Sequence, residues 1–297
     1  MTASSRDPFR AYRARLEALG FRPSSARGQN FLLDPSLHRW IADTAGPGAS
    51  DVVLEIGVGL GFLTRELAGR AGSVLGVEID KRLFGVAGKE LAGCDNVTLV
   101  CADALGGPGR SLAPEVRQEL APRVAAAERF LLVSNLPYAV SGALMAELYC
   151  LDVLPDRAVV LLQREVAERL AAAPGESAYG GLAGLLQTAF AVQLLRVVPP
   201  DVFRPRPKVA SAVVQLDRRE VVALPDAADR RRFAGFVRQL FAQRRKALRT
   251  MLPRALASQG LDLDRLGQVD PSLLARRAET LDSAELVGLW RQALAKG

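Results

Sequence analysis

Cysteine and histidine are nearly absent from this chain of 297 residues, which has three of the first (Cys94, Cys101 and Cys150) and one of the second (His38). The cysteines show neither C-x-x-C spacing nor the even count of a disulfide framework, and one histidine cannot join them in a zinc ligand set of ordinary spacing. A disulfide-stapled scaffold and a Cys/His zinc site are therefore excluded, no metal is expected, and a reducing, cytoplasmic setting is expected. The cysteines are expected to be small core residues. His38, on an expected helix after Pro35, reads as a surface or packing residue. Long apolar runs are missing as well. Charges such as Glu55, Glu78, Asp80 and Arg164 interrupt every hydrophobic stretch short of the roughly 18 residues of a membrane span. The first 27 residues carry Arg and Ser without an apolar run, which argues against a secretory signal, and Asp7 and Glu17 argue against a transit peptide.

What is present describes a globular chain. Hydrophobic residues make up 49% and charged residues 24%, and 26 Gly and 17 Pro are spread along the sequence, which excludes wholesale disorder, a collagen-like repeat and a coiled coil. The length exceeds a single unit of ~150 residues, so two domains are expected. A formal charge of +7 favours a polyanionic partner, and the placement of that charge must decide which.

From about residue 50 short apolar runs alternate with helical patterns, the mark of a parallel sheet covered by helices and of the α/β class. Strands are expected at 52–56, 74–78, 97–101, 130–134, 158–163, 192–198 and 209–216. Helices are expected around 64–70, 82–91, 164–173 and 182–191. The Ala-, Pro- and Arg-rich stretch 106–129 reads as a surface excursion carrying at most a helix. After residue 216 strands cease: 226–251 and 283–295 look helical, 262–270 loop-like, and Pro271 suits a helix start. The chain is thus expected to divide into a domain of residues 1–217 and a small helical domain of 218–297.

Glu55-Ile56-Gly57-Val58-Gly59-Leu60-Gly61 follows a strand and opens a helix. In that setting glycines let a ligand approach the backbone and helix amides face it. A dinucleotide fingerprint places its third glycine three residues after the second, where this chain has Phe62, so the spacing argues against NAD. Glu78 ends the next strand, 21 positions beyond Gly57, where a carboxylate can accept hydrogen bonds from both ribose hydroxyls. Asp103 ends the strand after that, placed for an adenine amino group. A glycine-rich turn can be only a turn and Glu78 only a solvated strand end; the succession of all three favours an adenosyl ligand.

Ser134-Asn135-Leu136-Pro137-Tyr138 follows the strand at 130–134, at the sheet edge where α/β proteins bind ligands. The exocyclic nitrogen of adenine is a poor nucleophile because its lone pair is delocalised into the ring. An enzyme that methylates it must hold the amine by its hydrogens and aim the lone pair at the donor. The Asn135 side-chain oxygen and the Leu136 carbonyl are suitable acceptors, Pro137 stiffens the turn, and the Tyr138 ring can stack an extruded base. No histidine base is required, since the nitrogen becomes acidic once it carries the new methyl. An ordinary Asn-x-Pro turn has the same residues; its position after an adenosyl-type site favours catalysis.

These residues resemble the ribosomal RNA adenine dimethyltransferases, in particular the small-subunit, kasugamycin-sensitivity type. Gly28-Gln29-Asn30-Phe31-Leu32, the glycine turn and Asn135-Leu136-Pro137-Tyr138 match in order. So do Gln163-Arg164-Glu165-Val166, Tyr179-Gly180, Phe203-Arg204-Pro205-Arg206-Pro207-Lys208-Val209, Ser211-Ala212-Val213-Val214 and Gln243-Arg244-Arg245-Lys246. The resemblance spans about 27–252. It implies a Rossmann-like S-adenosylmethionine-dependent methyltransferase fold and S-adenosylmethionine as methyl donor. By motif position, the donor site would be lined by Asn30, Leu32, Gly57, Gly59, Glu78, Ile79, Asp103, Ala104 and Asn135. It further implies dimethylation of two adjacent adenines near the 3′ end of 16S rRNA in the 30S subunit, coupled to subunit biogenesis, by a monomer without metal. Val58 stands where the family often has Pro, Ala139-Val140 where Asn-Ile is familiar, and 106–129 is longer than usual; these departures bear on the RNA-facing rim.

Between Arg230 and Arg254 lie nine basic residues and no acidic one, an excess above the net charge of the whole chain. Phe233, Phe236, Val237, Leu240, Phe241, Leu248, Met251 and Leu252 recur at helical spacing, so one face is expected to pack while the cations occupy the other. Charge runs are commonly solvated faces; one unrelieved by carboxylates favours phosphate contacts, with Arg244, Arg245, Lys246 and Arg249 as candidates. Arg204, Arg206 and Lys208 add cations on a proline-stiffened loop. Rival readings are a large-subunit 23S rRNA adenine methyltransferase of the macrolide-resistance type, a DNA adenine methyltransferase, whose turn usually carries two prolines, and a ribosome-assembly factor acting without catalysis.

Overall fold

The computed structural model describes residues 30–267 and 269–295. Gly28 and Gln29 of the N-terminal motif, and the leader readings before them, lie outside the described residues. Nine strands are described: β1 (Phe31–Leu32), β2 (Val52–Ile56), β3 (Ser73–Glu78), β4 (Val97–Cys101), β5 (Phe130–Asn135), β6 (Arg157–Gln163), β7 (Phe190–Val198), β8 (Phe203–Arg204) and β9 (Ser211–Arg218). Seven form one sheet in the order β4-β3-β2-β5-β6-β9-β7, and β1 pairs antiparallel with β8. The pairs β2–β3, β3–β4, β2–β5 and β5–β6 are parallel. The Arg164 N–H donates to the Ala210 carbonyl at 3.0 Å, so β9 begins where β6 ends and runs back against it. The expected α/β, Rossmann-like sheet is the one observed.

The central strands are apolar almost throughout because helices cover both faces, as parallel sheets require. Val53, Leu131, Val133, Val159 and Leu161 are fully buried and pack with Ile41 and Leu67 of the helices Pro35–Ala45 and Phe62–Ala68. Those helices begin and end for local reasons. Asp34 caps the first by accepting from the Ser36 and Leu37 N–H groups, Pro35 sits in its first turn, and Gly46 closes it at φ 59°. Asp80 caps the helix Lys81–Glu90 in the same way. His38 is buried in this layer, its ring tilted against Phe62 at 6.1 Å and its Nδ1 without a hydrogen-bond partner, so it is a packing residue.

Four expectations need correction. The stretch 106–129 carries the helix allowed for it, Pro114–Ala126, but it is not a surface excursion, since that helix buries Val116 and Leu120 and packs on β2 and β3. The sheet order explains its length, since the chain leaving β4 must cross two strands to enter β5. The basic stretch 226–251 is two helices, Ala227–Leu240 and Leu248–Ala257, joined by a turn that holds the Gln-Arg-Arg-Lys run. Arg230 does not lie on a solvated face; it is 1% exposed and donates to the carbonyls of Tyr149 (2.9 Å) and Leu224 (3.1 Å), and also to those of Leu151 and Pro225. Of the cysteines only Cys150 is buried; Cys94 is half-buried and Cys101 exposed. The helix Ser141–Tyr149 is an addition to the expected elements, although Leu144, Met145, Leu148 and Tyr149 supply a helical apolar pattern.

The described residues group into two compact units. One holds the residues up to Ser141 with Pro155–Arg164 and Leu195–Gln215; the other holds Gly142–Leu154, Glu165–Leu194 and the residues from Leu216 on. In the second, Trp290 is fully buried beside Phe236 (5.4 Å) and Phe233 (6.0 Å). A capping box of Asp282 and Glu285 starts the helix Ser283–Leu294 that carries the tryptophan. Among the described residues no helix is long and apolar enough to cross a membrane.

Candidate active site

The glycine turn leaves β2 with Gly57, Gly59 and Gly61 all at positive φ (86°, 59° and 80°), a region that side chains rarely adopt. Four of its amides are bonded within the protein. Gly57 and Val58 donate to the Val77 carbonyl at 2.8 and 3.3 Å, Gly61 to the Val58 carbonyl at 3.0 Å, and Gly59 to Glu78 Oε2 at 2.9 Å. A phosphate cradle needs such N–H groups turned outward. Their commitment inward fits a ligand without phosphate, as the sulfonium donor is. The turn has two apolar walls: a methyl added at Gly59 would lie 3.5 Å from the Phe31 ring, and one at Gly57 would lie 3.4 Å from the Pro137 ring. Phe31 of the Gly-Gln-Asn-Phe-Leu motif, buried with Leu33, Leu60 and Leu83, packs beside the glycine turn, a contact that its place in the sequence does not mark.

Glu78 ends β3 with each carboxylate oxygen on a main-chain amide, Oε2 on Gly59 and Oε1 on Asp80, both at 2.9 Å. Burial raises its pKa, the main-chain amides of Asp80, Gly59 and Ile79 oppose the rise, and the Asp80 charge adds to it. A carboxylate offers about four acceptor positions, so Glu78 keeps acceptor capacity beyond its main-chain amides. Ile79, the next residue, is 65% exposed, an aliphatic surface at the sheet edge that suits a flat aromatic ligand. Asp103 is exposed beyond β4 and accepts from the Leu105 N–H at 3.0 Å, while Ala104 is buried and accepts from the Ala113 N–H at 3.0 Å. Asn30 is half-buried just before β1. The Leu32 side chain belongs to the core, which leaves its main chain for any contact with a ligand. Glu55 on β2 is fully buried, and burial pushes its carboxyl up to about 8, the Thr64 hydroxyl opposing and the Glu78 charge adding to the rise.

The Asn-Leu-Pro-Tyr turn leaves β5, the strand next to β2. Ser134, fully buried, donates from Oγ to the Ile56 carbonyl at 2.5 Å, which ties the last turn of β5 to the root of the glycine turn. The Leu136 N–H donates to the Leu161 carbonyl at 3.0 Å, and the Leu136 side chain is buried. Asn135, Pro137 and Tyr138 are half-buried. The Tyr138 phenol shares a hydrogen bond with Ser211 Oγ at 2.5 Å. The glycine turn and the Asn-Leu-Pro-Tyr turn are thus brought together on adjacent strands.

The expected RNA-facing cations differ in how far they are committed. Arg204 donates to the Asp201 and Phe203 carbonyls at 2.8 Å, and Arg206 pairs with Asp201 at 3.1 Å, whereas Lys208 is exposed. Arg244 donates to the Ser177 and Tyr179 carbonyls at 2.9 Å and pairs with Glu279 at 3.2 Å. Arg245, Lys246 and Arg249 are exposed, with no carboxylate in ion-pair range among the described residues. No cluster of metal-ligating side chains occurs among the described residues.

Comparison with known proteins identifies the family. The family model described as "Ribosomal RNA adenine dimethylase" matches residues 21–287. A "Ribosomal RNA small subunit methyltransferase A" from Anaeromyxobacter sp. (strain K) is 40% identical over 289 residues, covering 96% of this chain and 98% of the relative. Its namesake from Geobacillus thermodenitrificans is 38% identical over 283 residues, 92% of each chain. Among solved structures, the 23S rRNA methyltransferase ErmE is 26% identical with a TM-score of 0.61, covering 89% of this chain and 99% of that one. A dimethyladenosine transferase from Plasmodium falciparum shares the fold at a TM-score of 0.69 and 24% identity, covering 89% and 97%. With the family model spanning most of its length, the chain belongs to the ribosomal RNA adenine dimethylases, S-adenosylmethionine-dependent methyltransferases of ribosomal RNA.

Proposed function

We propose that this enzyme transfers two methyl groups to each of two adjacent adenines near the 3′ end of 16S rRNA in the 30S subunit, as a cytoplasmic monomer whose action is coupled to small-subunit biogenesis. Catalysis is assigned to residues 1–217 and RNA docking to 218–297. The observation that carries the reading is the Asn135-Leu136-Pro137-Tyr138 turn held beside the glycine turn by the Ser134 hydroxyl. The relatives named for the small subunit support the choice of RNA.

S-Adenosylmethionine supplies an electrophilic methyl on a sulfonium sulfur. Glu78 takes the ribose hydroxyls, Asp103 the adenine amino group, and Ile79 the purine face, with Asn30, Gly57 and Gly59 completing the donor's walls. On the acceptor side the Asn135 side-chain oxygen and the Leu136 carbonyl each accept one hydrogen of the target amine, which turns its lone pair toward the donor. Tyr138 stacks the extruded base. The proton lost after transfer leaves an acidic, methylated nitrogen and needs no strong base. Lys208, Arg245, Lys246 and Arg249 meet RNA phosphates, which set position while the turn reads the base.

Labelled methyl transfer to undermethylated small subunits, large subunits and DNA in parallel tests the substrate. Label in small-subunit dimethyladenosine alone is the expected result, and label in large-subunit RNA overturns it. Asn135→Ala is expected to bind donor normally and lose methylation by about 100-fold or more, on the order of one oriented acceptor at a reacting atom. An unchanged dimethyladenosine yield from that variant rejects the catalytic turn. Full restoration of subunit maturation by it would make binding the main biological task.

A further inference from the structure

We infer that Ser211 is a positioning residue for the acceptor base, acting through the Tyr138 hydroxyl. The inference rests on the reading of Tyr138 as the stacking platform and adds what holds that platform in place. Tyr138 lies in the turn after β5, and Ser211 is the first residue of β9, two strands away in the sheet. The phenol reaches past the end of β6 to meet Ser211 Oγ at 2.5 Å. Ser211 is fully buried, and the strand beneath it is pinned to the end of β6 by the Arg164 N–H on the Ala210 carbonyl. Tyr138 remains half-buried. One end of the ring is thus fastened to the rigid sheet, and the rest of it stays accessible.

The consequence follows from the torsions of tyrosine. Rotation about χ2 is soft and two-fold, so an unrestrained ring samples a wide range of planes. The phenol oxygen lies on the χ2 axis, and fixing it settles χ1. Conjugation keeps the O–H close to the ring plane, so a directional hydrogen bond also selects that plane. A stacked base inherits the plane of its platform, and methyl transfer depends steeply on how the amine lone pair is aimed. Burial raises the phenol's pKa, and a protonated phenol is the form that can donate to Ser211.

The test measures single-turnover methylation of undermethylated small subunits, donor affinity and thermal melting for Ser211→Ala, Tyr138→Phe, the double variant, Ser211→Thr and Tyr138→Ala. Ser211→Ala and Tyr138→Phe are each expected to slow the chemical step about 5- to 10-fold, the worth of one hydrogen bond removed, with donor affinity and melting little changed. The double variant is expected to be no slower than the worse single, because the pair acts as one unit. Ser211→Thr, which keeps the hydroxyl, is expected to restore the rate. Additive losses, or wild-type rates in both single variants while Tyr138→Ala is slow, overturn the positioning role and leave stacking standing. A wild-type rate in Tyr138→Ala removes stacking itself and the positioning role with it. Should Ser211→Ala fail to fold, Tyr138→Phe and Tyr138→Ala decide the matter, since both alter a half-buried ring rather than the strand.

Discussion

Glu55 shows how far a single residue's environment can depart from its apparent role. In the sequence it opens the glycine turn, and in the structure it is a fully buried carboxyl whose Oε2 has no hydrogen-bond partner. Burial pushes it up to about 8, with Thr64 opposing and the Glu78 charge adding, so it is neutral at pH 7. An acid whose pKa rises on folding binds protons more tightly in the folded state. Stability is therefore full below the unfolded value of 4.5 and is lost as the pH climbs through about 8. Glu55→Gln removes this titration. Urea unfolding at about pH 5.5 and 8.5 is expected to show the wild type losing stability relative to the variant by a few kcal/mol, and a pH-independent difference would reject the shift. His38 moves the other way, burial holding it at about 4 against the pull of Asp34. Neither depth of burial was legible in the sequence, because burial of a charged or ring side chain follows from which helix covers the strand. Glu78, Asp103 and Asn135 were legible because their position at strand ends is fixed by counting along the chain.

At the scale of elements, the alternation of apolar runs located every strand of the main sheet to within a few residues. What it could not supply was tertiary anchoring. The basic stretch has one continuous helical pattern, yet the chain breaks it after Leu240, where Phe241 packs edge-on against Tyr179 at 6.1 Å and Arg244 bonds to the Ser177 and Tyr179 carbonyls. Arg230 acts likewise: its guanidinium collects carbonyls from 149–152 and from Leu224 and Pro225, closing the end of one helix against the start of another. Burial lowers its pKa, and the carbonyl acceptors together with the nearby charges of Asp226 and Asp152 offset its desolvation. Arg230→Ala leaves those carbonyls unpaired and opens a cavity. A loss of about 3 kcal/mol in urea unfolding is expected, with donor binding by the folded fraction unaffected; a loss under about 0.5 kcal/mol would show that water replaces the guanidinium. Such an arginine is indistinguishable in sequence from its neighbour Arg232, which lies over the Trp290 ring at 5.4 Å.

For the molecule as a whole, the excess of nine cations between Arg230 and Arg254 divides into anchors and free charges. Arg230, Arg231 and Arg244 are engaged with carbonyls or carboxylates, whereas Arg245, Lys246 and Arg249 stand in solvent. Replacing those three by Ala is expected to weaken RNA binding uniformly across sequences. The salt slope should fall by about 0.7–0.9 for each phosphate that a cation no longer neutralises, with donor affinity unchanged. Filter binding at several salt concentrations measures it, and an unaltered slope would move the docking face elsewhere. The chemistry itself has a different ruler. The glycine turn and the Asn-Leu-Pro-Tyr turn leave β2 and β5, which are hydrogen-bonded neighbours, and Ser134 locks one to the other. On the proposed reading of these turns as donor and acceptor sides, the distance between them is set by the spacing of two paired strands, about 4.8 Å, before any ligand arrives. Loops on either side can change length or composition, as at Ala139-Val140 and the 106–129 crossover, and the spacing of the two turns stays constant because the backbone of the sheet measures it.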